Sequence, residues 1–304
     1  MKPKVYIDGQ AGTTGLQIYD RLGTRKDIEL LRISEEKRKD AAARRELLNE
    51  ADLVFLCLPD EAAREAVSLI ENDHTRVIDC STAHRTSEGW VYGFPELHGA
   101  RQAIAAAPRL ANPGCYATGA IALTRPLVDE GLLKPGQPLS IHALSGYTGG
   151  GNKTIAQYED PGREEELASP RHYALGLSHK HIPEIMAQGG LTTAPIFCPI
   201  ICDFPQGMVV ALPLHGVPVE ALEECYRAYY RGEKLITVTK APESGFLGSN
   251  SKAGKDDLEI VVCGQGERAV AYSRLDNLGK GASGAAVQNM NIMLGFPELT
   301  GLAL

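Results

Sequence analysis

Aromatic residues are scarce in this 304-residue chain, at 6% with a single tryptophan, and positive charge is not in excess: 31 Lys and Arg stand against 38 Asp and Glu, a formal net charge of −7. A chain of that sign has no general attraction for phosphate backbones or anionic lipid, so any anion must be held by a local site. Neither nucleic acid nor membrane is an expected partner. No apolar run approaches the roughly 18 to 20 residues that span a bilayer. The start, Met1-Lys-Pro-Lys-Val-Tyr-Ile-Asp8, passes into a strand-like segment with no apolar leader core, and a cytoplasmic location is expected. C-x-x-C pairs are also missing. The seven cysteines, at 57, 80, 115, 198, 202, 225 and 263, are odd in number, which speaks against a disulfide framework and against a zinc ribbon. Free cysteines in a reducing compartment are mostly small core residues.

What is present is alternation. Lys4–Asp8 predicts a buried strand that breaks into Gly9-Gln-Ala-Gly12-Thr13-Thr14-Gly15, after which Leu16, Ile18, Tyr19 and Leu22 recur at helical spacing. A strand at Glu29–Ile33, a charged helix from Glu35 to about Asn49, a strand at Leu53–Leu58, a helix at Glu61–Glu71 and a strand at Arg76–Asp79 follow. Strands alternating with helices imply right-handed crossovers and a doubly wound parallel sheet of Rossmann type, an α/β unit. Beyond Asn112-Pro-Gly114 the texture changes. A helix of small residues (Tyr116–Leu123), which Pro126 is expected to kink or end, precedes strands at 139–144, 196–202, 207–214, 235–239 and 258–264. That pattern predicts a second, α+β domain with a mostly antiparallel sheet. The last helical segment, Gly284–Leu294, is free to pack back on the first domain.

A strand, a glycine loop and a helix N-terminus are what a dinucleotide pyrophosphate requires: glycines admit a close backbone approach and the helix supplies N–H groups and positive potential. An ordinary strand-to-helix turn explains the spacing of Gly9, Gly12 and Gly15 too; its placement at the first βα turn favours the cofactor. The end of the second strand carries Arg32 and Ser34, with Lys37 and Arg38 beyond, where NAD-selective folds carry an acid. This neighbourhood favours NADP(H) through its 2′-phosphate, and a solvated helix face explains the same basic residues equally.

Six cysteines suit the core reading. Cys115 differs, because Asn112-Pro113-Gly114 is a tight turn and Cys115 opens a helix, where free N–H groups favour thiolate over a thiol of ordinary pKa about 8.5. The same N–H groups suit the oxyanion of a tetrahedral intermediate. By itself such a cysteine is more often a buried turn residue. His179 and His181, in Ser178-His-Lys-His-Ile-Pro-Glu184, stand just before a helix that Pro183 starts and Gly189-Gly190 stops. A metal would need a third ligand that the spacing does not offer, so proton relay with Glu184 in support is the favoured role and no metal is expected. Ser81-Thr-Ala-His-Arg85 lies at the carboxyl edge of the parallel sheet, where ligands bind in such folds; Arg85 suits a carboxylate or phosphate clamp, or a surface salt bridge. A second glycine-rich loop, Gly146–Lys153, fits anion binding or a disordered surface turn.

Together Gly9–Gly15, Asn112-Pro-Gly-Cys-Tyr116, His179-Lys-His-Ile-Pro-Glu184 and Lys280-Gly-Ala-Ser-Gly-Ala-Ala-Val-Gln-Asn289 resemble the N-acetyl-gamma-glutamyl-phosphate reductase family in its shorter form, within the semialdehyde dehydrogenase superfamily. The resemblance implies NADPH-dependent reduction of N-acetyl-L-glutamyl 5-phosphate to N-acetyl-L-glutamate 5-semialdehyde with release of inorganic phosphate, a step of arginine biosynthesis. It makes Cys115 the nucleophile, His179 the acid/base with His181 second, and Glu184 their support. Expected cofactor contacts are Gly9, Gly12, Thr13, Thr14, Gly15, Arg32, Ser34, Arg38, Ser81 and Asn289; expected substrate contacts are Arg85, Asn112, Ser145 and Gly146. The expected division is an NADP-binding domain of residues 1–113 plus 283–304 and a catalytic and dimerisation domain of 114–282, in a homo-oligomer, dimer or tetramer. An aspartate or aminoadipate semialdehyde dehydrogenase, or a non-catalytic NADP-binding sensor, are the alternatives.

Overall fold

A computed structural model describes residues 2–304. The chain forms two compact units, one of residues 2–113 and 282–302, the other of residues 114–281 and 303–304. In the first, β1 (Lys4–Asp8), α1 (Thr13–Gly23), β2 (Glu29–Leu31), α2 (Ala41–Glu50), β3 (Leu53–Leu56), α3 (Asp60–Ser68), β4 (Arg76–Asp79), β5 (Val91–Tyr92), α4 (Ala100–Ala106) and β6 (Arg109–Ala111) follow one another. The six strands form one parallel sheet in the order β2-β1-β3-β4-β6-β5. Alternation in β1 sorts the two faces. Val5 and Ile7 join Ile18 and Leu22 of α1 and Ala286, Val287, Met290 and Met293 of the last helix, Gly284–Leu294. Tyr6 joins Leu48 of α2, Ala63 and Ala66 of α3 and Val77 on the other face.

Two boundaries differ from expectation. The charged run Glu35–Lys39 is exposed turn, and α2 starts only at Ala41, where the Asp40 side chain accepts from Ala43 N–H at 2.8 Å. Five consecutive charged side chains have no apolar stripe to dock, so helix begins where a cap and buried residues are available. β5 and β6 went unread because two and three residues are too short to show alternation.

The second unit holds α5 (Cys115–Asp129), β7 (Ser140–Gly146), α6 (Asn152–Glu159), β8 (Arg171–His172), α7 (Ile182–Gly189), β9 (Ile196–Cys202), β10 (Met208–His215), α8 (Val219–Tyr229), β11 (Ile236–Thr239), β12 (Leu258–Gln265) and β13 (Arg268–Leu275); the helix Gly284–Leu294 is α9. Its seven strands run β11-β12-β13-β10-β7-β9-β8. Four pairings are antiparallel, and β7–β9 and β11–β12 are parallel. β13 escaped the sequence reading although it alternates buried and half-buried residues; it folds back on β12 through Gly266-Glu267, with Gly266 at φ +60°.

Pro126 neither ends nor breaks α5, which continues to Asp129. A proline removes the N–H that would bond the carbonyl four residues earlier, here Ala122. The hydroxyl of Tyr230, next after α8, donates to that carbonyl at 2.9 Å, and Tyr226 donates to the neighbouring Leu123 carbonyl at 2.7 Å. Tyr230→Phe leaves the buried Ala122 carbonyl unsatisfied. A loss of about 1–3 kcal/mol is expected, measured by urea unfolding, and Tyr226→Phe, whose carbonyl keeps the Leu127 N–H within reach, should lose less. Among the described residues, no helix is long and apolar enough to cross a membrane.

Candidate active site

The glycine loop of the first unit is built from backbone. Gly9 sits at φ +89°, and a Cβ there would lie 2.3 Å from the Cys57 carbonyl oxygen; a Cβ on Gly15 would lie 2.4 Å from the Gly9 oxygen. Gly12 N–H closes the turn on Gly9 O at 3.1 Å, yet a Cβ on Gly12 meets nothing nearer than 3.5 Å. Gly12 is the N-cap of α1, which has no side-chain cap and no acidic residue in its first turn, Thr13 and Thr14 being its first residues. A backbone cradle ending on an uncapped, acid-free helix start fits a pyrophosphate. Gly15→Ala is expected to weaken dinucleotide binding at least about ten-fold, a cost of about 1.4 kcal/mol, while Gly12→Ala stays within about two-fold; equilibrium titration of each variant with NADPH checks the contrast. Arg32 and Ser34 are exposed beyond β2, with Arg32 over the Tyr19 ring at 5.5 Å, and Arg38 pairs with Glu35 at 3.0 Å on the surface.

At the carboxyl end of β4 the Asp79 carboxylate gathers three donors: Ser81 N–H at 2.9 Å, Ser81 Oγ at 2.8 Å and His84 Nδ1 at 2.6 Å, the His84 ring being stacked on Trp90 at 4.0 Å. Arg85, expected at the substrate, is buried and donates from Nε to Asn112 O at 3.0 Å and from Nη2 to Cys80 O at 3.2 Å. Asn112 is also buried; its Nδ2 donates to Ala282 O at 3.0 Å and its Oδ1 accepts from Asn289 Nδ2 at 3.2 Å. These bonds fix the strand end leading to Pro113. Asn289 Nδ2 also reaches Gly93 O at 2.9 Å, whereas its buried Oδ1 has no partner among the described residues. An orphaned buried acceptor calls for an outside donor, and an amide on a bound nicotinamide is one.

In the second unit, Gly114 N-caps α5 and Cys115 is its first residue. The Gly114 N–H donates to Oε2 of Glu184 at 3.1 Å, a carboxylate only 1% exposed in the first turn of α7. Its Oε1 lies 3.9 Å from Nε2 of His181, the buried N-cap residue of α7. The His181 backbone N–H in turn donates to Nδ1 of His179 at 3.2 Å. That bond occupies the Nδ1 lone pair, so neutral His179 carries its proton on Nε2. Tyr116, Tyr173 and Phe197 stand edge-on to the His179 ring at 5.7, 5.7 and 5.1 Å. Burial among them, with Lys180 adding a like charge, pushes the imidazole down to about 4, so it is neutral at pH 7. Tyr116 itself is buried, its ring 6.5 Å from that of Tyr173. Behind Cys115 lies Gly281, where a Cβ would come within 2.8 Å of the cysteine Cβ; only glycine lets that segment close on the nucleophile position.

Residues 4–107 match the semialdehyde dehydrogenase NAD binding domain, and residues 115–277 match the semialdehyde dehydrogenase dimerisation domain. N-acetyl-gamma-glutamyl-phosphate reductase from Brucella anthropi is 50% identical, covering 97% of this chain and 99% of the relative. N-acetyl-gamma-glutamyl-phosphate reductase 2 from a Nostoc species is 47% identical over 99% of both. The chain belongs to the N-acetyl-gamma-glutamyl-phosphate reductase family. Its fold is shared with aspartate semialdehyde dehydrogenase II from Vibrio cholerae (TM-score 0.74, 15% identity, 97% and 99% of the two chains) and with the Candida albicans aspartate semialdehyde dehydrogenase solved with NADP (0.69, 15%, 97% and 99%).

In this member of the family the structure gathers Gly114, Cys115, His179, His181 and Glu184 in one place within the second unit. Ser145 is buried, and its Oγ donates to Gly146 O at 3.0 Å. Gly146 itself is pressed against the Pro205 carbonyl, which a Cβ would approach to 2.5 Å. The loop after it is no disordered turn: Tyr147–Gly150 is a short 3-10 helix, Tyr147 stacks on Tyr158 at 4.8 Å, and Thr148 Oγ1 donates to Pro205 O. Lys153 is exposed on the first turn of α6. Tyr116, Tyr173, Phe197 and Gly281 went unread as members of the site. Tyr116 had a signal in its position beside Cys115; Tyr173 and Phe197 had none, because only the folded chain brings them to His179.

Proposed function

We propose that this chain reduces N-acetyl-L-glutamyl 5-phosphate to N-acetyl-L-glutamate 5-semialdehyde with NADPH, releasing phosphate, as a cytoplasmic homo-oligomeric enzyme of arginine biosynthesis. The observation that carries the chemistry is the series of contacts from Gly114 through Glu184 and His181 to His179, two hydrogen bonds joined by a 3.9 Å approach of Glu184 to His181, which ties the start of α5 to an imidazole held in one tautomer. A sensor that only bound a dinucleotide would have no use for that bonding. Full-length identity of 47 to 50% to reductases of this name supports the substrate.

The first unit holds the cofactor through Gly9, Gly12, Thr13, Thr14, Gly15 and Ser81, with Arg32, Ser34 and Arg38 toward a 2′-phosphate and Asn289 Oδ1 toward the carboxamide. Bound NADPH supplies the hydride that reduces an acyl group to an aldehyde. The chain's own residues do the rest. Cys115, as thiolate at the start of α5, attacks the acyl carbon; the C–S bond forms, the C–O bond to phosphate breaks, and a thioester remains. The N–H groups at the start of α5 and the Nε2–H of His179 donate to the oxyanion, which appears on the same oxygen in both tetrahedral species. When the second collapses to aldehyde it expels Cys115 as thiolate. A neutral hydrogen-bond donor therefore suffices at His179, and Glu184 and His181 hold it there. Arg85 and Asn112 act on the substrate by fixing the backbone that leads to Gly114.

The test is oxidation of three semialdehydes, of N-acetylglutamate, aspartate and aminoadipate, by the purified enzyme with NADP and phosphate. Turnover of the first at least about 100-fold above the others in kcat/KM is expected; preference for either of the others overturns the substrate assignment. Replacing NADP by NAD in the same assay checks the coenzyme.

A further inference from the structure

Two of the other cysteines face each other across the parallel sheet. Leu56 of β3 pairs with Asp79 of β4, so the next residues, Cys57 and Cys80, are neighbours on the ladder, and Cys80 N–H donates to Leu56 O at 2.9 Å. Adjacent strands lie about 4.8 Å apart, inside the Cα separation of roughly 4.4 to 6.8 Å that a disulfide spans. Both side chains pack against the cluster of Val5, Ile7, Ile18 and α9, so they leave the sheet on the same face. Both residues are half-buried. The pair also sits directly under the glycine turn: Cys57 N–H donates to Asp8 O at 2.8 Å, and the Cys57 carbonyl is the surface against which Gly9 packs.

We propose that Cys57 and Cys80 form a redox modification site, a dithiol that closes to a disulfide and, by locking the Cys57 backbone on which Gly9 packs, stiffens the glycine turn and weakens dinucleotide binding. The consequence rests on the reading of Gly9–Gly15 as the dinucleotide loop; the bond does not. The oxidant is a small-molecule disulfide. One protein thiolate attacks a reagent sulfur and expels one reagent thiol; the second protein thiolate then attacks the mixed disulfide and expels the other. Two protein thiols are oxidised, the reagent is reduced to two thiols, and the two protons leave on them. The neighbouring Cys80 thiol and then burial, with the charges of Asp79 and Asp8 nearby, raise the Cys57 thiol well above its ordinary pKa, so closure speeds up as pH rises above neutral.

The full-length protein is incubated with 2-hydroxyethyl disulfide, freed of reagent, and divided between mass mapping and NADPH titration. The expected result is a Cys57–Cys80 linked peptide in the non-reduced digest, loss of two hydrogens at that site, and NADPH affinity lower by at least about ten-fold, all reversed by dithiothreitol. Cys57→Ala, and separately Cys80→Ser, should keep NADPH affinity under the same treatment. The same digest shows whether Cys115 has reacted. Absence of the linked peptide, or a linked peptide with unchanged affinity, overturns the proposal. Reduced protein that binds no dinucleotide at all overturns the cofactor reading instead, which the mass of the linked peptide distinguishes.

Discussion

Cys115→Ser is expected to lower kcat for phosphate-dependent oxidation of N-acetylglutamate semialdehyde by at least about 10⁴-fold, the scale on which loss of a covalent nucleophile is felt, with NADPH affinity within about two-fold of the original. A helix start favours an anion by about 0.3–2 kcal/mol, enough to raise the thiolate fraction of a cysteine and far too little to ionise a serine hydroxyl at neutral pH. The replacement is nearly isosteric, so the contact with Gly281 survives and lost activity reads as lost chemistry. Two measurements separate the outcomes: steady-state turnover, and NADPH titration of the same preparation. Full turnover in the serine variant would sink the assignment of Cys115, and lost dinucleotide binding would point to a folding defect.

His179→Ala should lower kcat by about 10²–10³-fold, the cost of removing one preorganised oxyanion donor, with KM for NADP little changed. His179→Gln, whose amide N–H reaches toward the place of Nε2–H, should recover at least about ten-fold of that loss. A general base would not be replaced by an amide, so equal loss in both variants would refute the neutral-donor role. The same residue predicts a pH effect on stability. Its folded imidazole titrates at about 4, below the ordinary value of about 6.5, so between those limits the unfolded chain binds a proton that the folded chain does not. Stability therefore falls as pH drops from 6.5 towards 4 and is not further affected by this group below that window. Urea midpoints measured across it should decline less steeply in His179→Gln than in the original chain, and parallel slopes would contradict the burial of the ring.

The divergences between sequence and structure have one origin. Elements whose own residues carry a period were legible: β1 through Lys4–Asp8, α1 through Ile18 and Leu22, α9 through Gly284–Leu294. Elements held by a neighbour were not. β6 exists because β4 offers a ladder and β5 because β6 does, and α5 passes Pro126 because Tyr230 supplies the donor that the proline lacks.

Within the candidate site, sequence alone determined which residue types could do acyl chemistry: a cysteine after Pro113-Gly114 at a helix start, a histidine pair before Pro183, a carboxylate in the following turn. Those are local facts, set by turn and capping preferences over a few residues. Only the tertiary structure decided how they act together. Glu184 meets Gly114 across 70 positions, and Phe197 of β9 meets His179 in the loop before α7; the aromatic burial that holds the imidazole neutral therefore depends on contacts no local pattern contains. The same holds for the seven cysteines. Spacing marked Cys115 as the exception, but the parallel register of β3 and β4 brought Cys57 to Cys80, because strand neighbours in a doubly wound sheet are set by crossover topology and not by distance along the chain.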